Sequence, residues 1–291
     1  MMRSTSIALV GLVALAACGG GEGPPGFDTP ESVLYLADAD VWLVSNIHGA
    51  PAAKDGNGYI ARVQPDGTSM RRHWIQGGTN GVTLHAPKGM AVVGDTLWVA
   101  DIDTVRKFDV HTGAPRGEVA VPGATFLNDV AAGPEGAVYV TDSGFTPEFA
   151  ASGTDAIWRI AADGSATALV KSPDLGQPNG LVARDGGLYV VGWRDGAIYQ
   201  VDSRGTRTDL LKAPAAQLDG LVRVDGADGA GGAWYVSSWA GKCIYRFDAK
   251  GGMQALPRSF EQPADLGFDG KRRRLLVPLF GQDRVEILPL P

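Results

Sequence analysis

Six three-residue motifs recur along the chain, and the middle residue of each is the one that could do chemistry. They are Pro30-Glu31-Ser32, Pro87-Lys88-Gly89, Leu127-Asn128-Asp129, Pro178-Asn179-Gly180, Leu218-Asp219-Gly220 and Ala264-Asp265-Leu266. The middle residues are separated by 57, 40, 51, 40 and 46 positions. Glu31, Asn128, Asn179, Asp219 and Asp265 carry side-chain oxygen, and the sixth is Lys88. Hard oxygen donors brought to one point suit a hard divalent cation, Ca2+ first, with Mg2+, Mn2+ or Zn2+ behind it. Asn and Asp before Gly also serve as turn formers that bond their own backbone, a role that needs no ligand.

The stretches between the motifs explain how residues so far apart can meet. After Asn179 the chain runs GLVA, turns at Arg184-Asp185-Gly186, runs LYVVGW, turns at Arg194-Asp195-Gly196 and runs AIYQV. Each run alternates or is β-branched and aromatic, and each break is Gly or Asp. That pattern marks antiparallel strands joined by tight turns. The same order follows the other motifs, with DVWLVSN, TLWVAD, AVYVTD, AWYVSSW and RLLVPLF as the second runs. A repeat of about 40–50 residues with four short strands is a propeller blade. One such unit cannot bury both faces alone, but units stacked radially can. Six units over residues 30–291 predict an all-β, six-bladed β-propeller, with a β-sandwich as the alternative. The longer spacings coincide with Gly/Ala/Pro-rich insertions at 48–57 and 144–154. In a propeller the innermost strand of each blade lines the central channel, so the six motif residues converge at one mouth. The chain ends straight after the third strand of unit six, and the residues before Glu31 lack strand composition. The last blade is therefore expected to have three strands or an unusual short closure.

In order and position the motifs resemble the senescence-marker-protein/gluconolactonase family of six-bladed propellers, and the resemblance covers residues 30 to 291. It implies that Glu31, Asn179 in PNGL and Asp219 in LDGL hold one cation. It also implies that Asn128, in FLNDVA, lies beside that cation and touches substrate. The implied chemistry is hydrolysis of a small lactone or ester. Asp219 would be the general base, and Lys88 or Asn128 would stabilise the oxyanion. The sugar-lactone members carry an Arg two residues before the matching Asn, whereas this chain has Phe126. Lys88 is a second departure, expected to pair with Asp265 or Glu31. The rival reading is a non-catalytic ligand-binding or scaffold propeller of the cell envelope with a structural cation.

Residues 1–17 are read as a lipoprotein signal peptide. Arg3 precedes an apolar run, Ile7 to Ala17, too short to span a bilayer as a helix. Leu15-Ala16-Ala17-Cys18 resembles a lipobox, which implies a lipid on Cys18 and a membrane partner. An ordinary signal peptide is the alternative. Residues 18–29 read as a flexible tether. Gly19, in place of an Asp, favours the periplasmic face of the outer membrane. The formal net charge of −6 argues against nucleic acid or anionic lipid as the main partner, and the family resemblance implies a small-molecule substrate. With Cys18 lipidated, Cys243 stands alone and is expected to be a buried, inert thiol. The cluster Lys271-Arg272-Arg273-Arg274 is expected at a solvated hairpin tip. Of the four His, His48 and His85 are the two placed to line the mouth, and Trp193 and Trp239, ending their runs, are placed to wall a pocket. The chain contains no G-x-S-x-G, H-E-x-x-H or P-loop pattern.

Overall fold

A computed structural model describes residues 22–67, 70–226, 231–248 and 252–291. The signal-peptide and Cys18 assignments fall outside these residues. The strands form six separate four-stranded sheets, all antiparallel. Their inner strands are Pro30–Leu36, Pro87–Val93, Leu127–Ala132, Pro178–Arg184, Leu218–Val224 and Gly267–Asp269. Blade 4 shows why the sequence folds this way. Arg184 pairs with Gly187 across a two-residue loop, and both loop residues, Asp185 and Gly186, have positive φ of 53° and 77°. A turn of that kind matches the right-handed twist of its flanking strands.

The hydrophobic core is divided into six main clusters, each lying between two neighbouring blades. Trp98 and Val105 of blade 2 pack on Val130 and Trp158 of blade 3. Val191 and Ile198 of blade 4 pack on Leu221 and Val236 of blade 5. Val33 and Trp42 of blade 1 pack on Leu276 and Val285 of blade 6, which closes the ring. The basic cluster adds to this last junction. Lys271 and Arg272 of blade 6 reach Asp40 of blade 1, at 2.5 and 2.7 Å, and Arg274 holds the buried Asp269 at 2.7 Å. It is a hairpin tip, but one that bridges two blades. Cys243 is buried, as expected, and burial pushes its thiol up.

The C-terminal end supplies three strands to blade 6: Gly267–Asp269, Arg274–Leu279 and Arg284–Pro289. A short closure completes it. Glu22–Pro25 lies along the outer edge, with Glu22 opposite Glu286 and Pro25 opposite Arg284. Part of the expected tether is therefore an edge strand, where prolines are tolerated because the outer edge needs no N–H donor.

Two local devices aim the motif residues. In blades 1 to 5 the pairing register slips by one residue at the motif, as between Pro178 and Leu181. A bulge of this kind leaves its extra residue unpaired and re-aims the side chain. Glycine then lets neighbouring inner strands touch. A Cβ on Gly180 would lie 2.5 Å from the Asp219 carbonyl oxygen, and one on Gly220 would lie 2.3 Å from the Leu266 nitrogen. Neither glycine has a positive φ, so the Asn-Gly and Asp-Gly pairs serve close approach around the axis rather than a turn.

Buried hydroxyls on the second strands tie the blades together. Thr141 Oγ1 accepts from the Asp129 N–H at 3.0 Å and donates to the Asn179 carbonyl at 2.8 Å. Ser237 Oγ accepts from Gly220 and donates to Ala264 in the same way, at 2.8 and 2.9 Å. Thr141→Val would orphan one N–H and one C=O, each worth about 1–3 kcal/mol when buried without a partner. A lowered urea midpoint at unchanged slope is expected, and an unshifted midpoint would show that the staple contributes nothing.

Candidate functional site

The inner strands deliver Glu31, Lys88, Asn128, Asn179 and Asp219 to one cavity of about 460 Å³ at the channel mouth. All five are at most 5 % exposed. They form its floor. Asp265 is not among them. The sixth inner strand is only three residues long and starts at Gly267, so Asp265 precedes it. It is pinned to blade 1 by its own N–H to the Glu31 carbonyl, at 2.9 Å, and by Ser32 Oγ to its carboxylate, at 2.5 Å. Its side chain faces a lower channel cavity together with Ser32 and Asp129. Asp129 is structural: it accepts the Val130 and Leu181 N–H groups at 2.7 and 2.8 Å.

Three floor oxygens are buried without any hydrogen-bond partner: Glu31 Oε2, Asn179 Oδ1 and Asp219 Oδ1. Buried polar atoms are rarely left this way, and each calls for a ligand or a water. A hard cation fits the set, because its donors are two carboxylates and one amide oxygen. Among the described residues no group of three or more His, Cys, Asp or Glu side chains is placed to hold a metal. A cation here would therefore rely on amide oxygen as well as carboxylate. Asn128 gives its amide nitrogen to Ser143 Oγ at 3.0 Å, and that hydroxyl donates to the Pro178 carbonyl at 2.7 Å. The amide oxygen is the end left for a ligand.

The electrostatics follow from burial. Burial first, then Asp219 and Asp265, pushes the Glu31 carboxyl well above its usual range. Burial and Asp265 do the same to Asp219, and burial lifts Asp265 to about 7. Lys88 is lowered to about 8, also by burial, with Glu31 and Asp101 opposing. The ion pair expected of Lys88 does not form. Its Nζ donates to the Pro51 and Ala86 carbonyls, at 2.9 and 3.0 Å, and lies 4.3 Å over the Phe126 ring. An ammonium has three N–H bonds, so one remains for the cavity. The indole N–H of Trp239 lies near enough to Asp219 to favour its charged form, without reaching hydrogen-bond geometry.

Above the floor stands a wall that the motifs did not announce. Trp193 and Trp239 line it, as expected, but so do Phe126, Phe145, Phe149 and Phe280, with Ile47 and Pro51 between; neither His48 nor His85 does. A signal was present. The residue just after each second strand is Ile47, Ile102, Ser143, Trp193, Trp239 or Phe280. Four of these six line the cavity. Where blade 3 has the small Ser143, the insertion at 144–154 supplies Phe145 and Phe149 instead.

Fold and site together define a six-bladed propeller with a buried oxygen-donor floor under an aromatic wall. The family model for the SMP-30/gluconolactonase/LRE-like region matches residues 29–277, and the chain belongs to that family. Among solved structures, a candidate gluconolactonase is similar at 19% identity and a TM-score of 0.65, with 94% of this chain and 92% of that chain covered. A catalytically inactive virginiamycin B lyase from Staphylococcus aureus, solved with quinupristin, matches at 19% identity and a TM-score of 0.62, covering 90% and 80%. A streptogramin B lyase matches at 14% and 0.63, covering 94% and 96%. At these identities the likeness is one of fold. No curated protein matches the sequence significantly.

Proposed function

We propose that this propeller is a cation-dependent hydrolase of a small lactone or ester. The observation that carries the reading is the trio of orphaned oxygens on Glu31, Asn179 and Asp219 at the base of an open cavity. Those three residues would hold the cation, with Ca2+ favoured and Asn128 beside it. When bound, the cation would supply a Lewis acid that polarises the substrate carbonyl.

The chain's own groups do the rest. Asp219 takes the proton of the attacking water and returns it to the leaving alkoxide oxygen. Its raised proton affinity makes it a stronger base than an exposed carboxylate. The third N–H of Lys88 faces the developing oxyanion, and Asn128 lies alongside. The six-ring wall surrounds the floor with apolar groups, which strengthens the action of its charges.

A ligand-binding propeller without turnover is the competing reading, favoured by one feature: the buried Lys88 ammonium already offsets part of the floor's negative charge. Turnover on a panel of lactones and esters, abolished by chelation in a protein that stays folded, supports the hydrolase. A chelation effect on melting temperature alone supports the rival. We also propose export and lipid anchoring at Cys18, supported by the Leu15–Cys18 motif. Cys18→Ser should move the protein from the membrane to the soluble fraction, and continued membrane association would refute the anchor.

A further inference from the structure

We infer that the cavity takes a ligand whose carbonyl is joined to a flat aromatic or apolar ring, an aryl lactone or aryl ester, and turns away polyhydroxylated lactones. The carbonyl end of this inference rests on the function proposed above; the ring end rests on geometry alone. Six rings form one continuous arc. Phe126 lies 5.3 Å from Phe145, Phe145 lies 6.3 Å from Trp193, Trp193 lies 5.2 Å from Trp239, and Trp239 lies 5.0 Å from Phe280. Phe149 touches both Phe126 and Phe145, each at 5.9 Å.

The division of the lining decides the ligand. Every charged group in it belongs to the floor: Glu31, Lys88 and Asp219. Apart from Gln217, an exposed amide, the wall offers ring faces and edges, which suit another ring in stacked or edge-on contact. A sugar lactone presents a hydroxyl on most ring carbons. One face of it could lie on an indole, but the equatorial hydroxyls would then meet the rest of the arc and lose water without gaining partners, which is costly. At the mouth, Phe149 is 51 % exposed, one of only two large apolar side chains among the described residues to be so. It sits on the insertion that replaces the missing wall residue of blade 3. An exposed ring continuous with a partly buried aromatic arc marks an apolar binding surface. The indole N–H of Trp239, near Asp219 but short of hydrogen-bond geometry with it, is a donor for the single oxygen-rich end such a ligand would have.

The test uses β-tetralone, which keeps the fused ring and carbonyl of dihydrocoumarin but has CH2 in place of the ester oxygen and cannot be hydrolysed, and scyllo-inosose, a polyhydroxylated cyclohexanone that likewise keeps a carbonyl among ring hydroxyls without an ester oxygen. Calorimetry on the wild-type protein should give at least about tenfold tighter binding of β-tetralone, as several ring contacts imply. Phe149→Ser is exposed and does not threaten the fold; Phe145→Leu keeps the wall apolar but removes a ring. Each should weaken β-tetralone several-fold and leave scyllo-inosose unchanged. Equal or tighter binding of the polyol, or variants that bind β-tetralone as the wild type does, would overturn the inference. Turnover keeps the two readings separate. β-Tetralone binding without dihydrocoumarin hydrolysis retires the hydrolase and keeps the aromatic ligand. Gluconolactone hydrolysed faster than dihydrocoumarin keeps the hydrolase and retires the aromatic ligand.

Discussion

Asp219→Asn is expected to lower kcat/KM by about 10²–10⁴-fold, the usual loss on removing a general base, in a protein that melts no lower than the wild type without cation. The two halves of this result have different causes. The amide keeps the shape of the carboxylate, so the cavity and the strand contacts of Leu218-Asp219-Gly220 survive. It cannot take the proton from water. Ionised Asp219 is opposed by burial and by Asp265, so a neutral isostere relieves a cost instead of adding one. Steady-state kinetics and a thermal melt on the same preparation decide the matter. Activity within a fewfold of wild type would remove Asp219 from the chemistry, and a large drop in melting temperature would show that its role is structural.

The second large effect is the pH dependence of cation binding. The folded-state proton affinities of Glu31, Asp129 and Asp219 are raised well above their usual values, and that of Asp265 rises to about 7. An acid raised on folding binds its proton more tightly in the native state. Its contribution to stability is fully present below the unfolded value, near 4. For Asp265 it is lost as pH rises from there through about 7, where the folded state must accept charge, and the other three add to the loss in the same direction. The cation-free protein should therefore become less stable across that window. A divalent cation opposes the loss by pairing with Glu31 and Asp219, and protons compete with it below. Free Ca2+ at about 100 times its Kd contributes about 2.7 kcal/mol, which corresponds to a rise in Tm of roughly 5–10 °C in a domain of this size. Differential scanning calorimetry should find the rise near pH 8 and much less of it near pH 5. An equal rise at both, or none at either, would count against cation binding by these carboxylates.

The fold was legible because a propeller repeats its instructions. Each blade restates a motif, a turn and an aromatic-rich second strand, and the six inter-blade cores follow from that alternation. Four floor residues and Lys88 were legible for the same reason, since the inner-strand openings align. Asp265 misled because its motif precedes a strand too short to present it at the mouth. Lys88 misled in another way: its partners are backbone carbonyls of Pro51 and Ala86, which leave no trace in residue type. The aromatic wall lay in a second alignment, at the ends of the second strands, where apolar residues look like ordinary core. Glu22–Pro25 gave no signal because an outermost strand paired at two positions needs neither alternation nor a full set of donors.

That edge strand shortens the leash. If Cys18 bears a lipid, the chain leaves the disc at Glu22 and not at residue 30. Four residue steps at about 3.3–3.6 Å each span no more than about 14 Å. A disc held so closely cannot roam the space beyond the membrane. The rim of blade 6 would ride beside the lipid headgroups, and any outward pull on the protein would be borne first by the short edge strand that completes that blade.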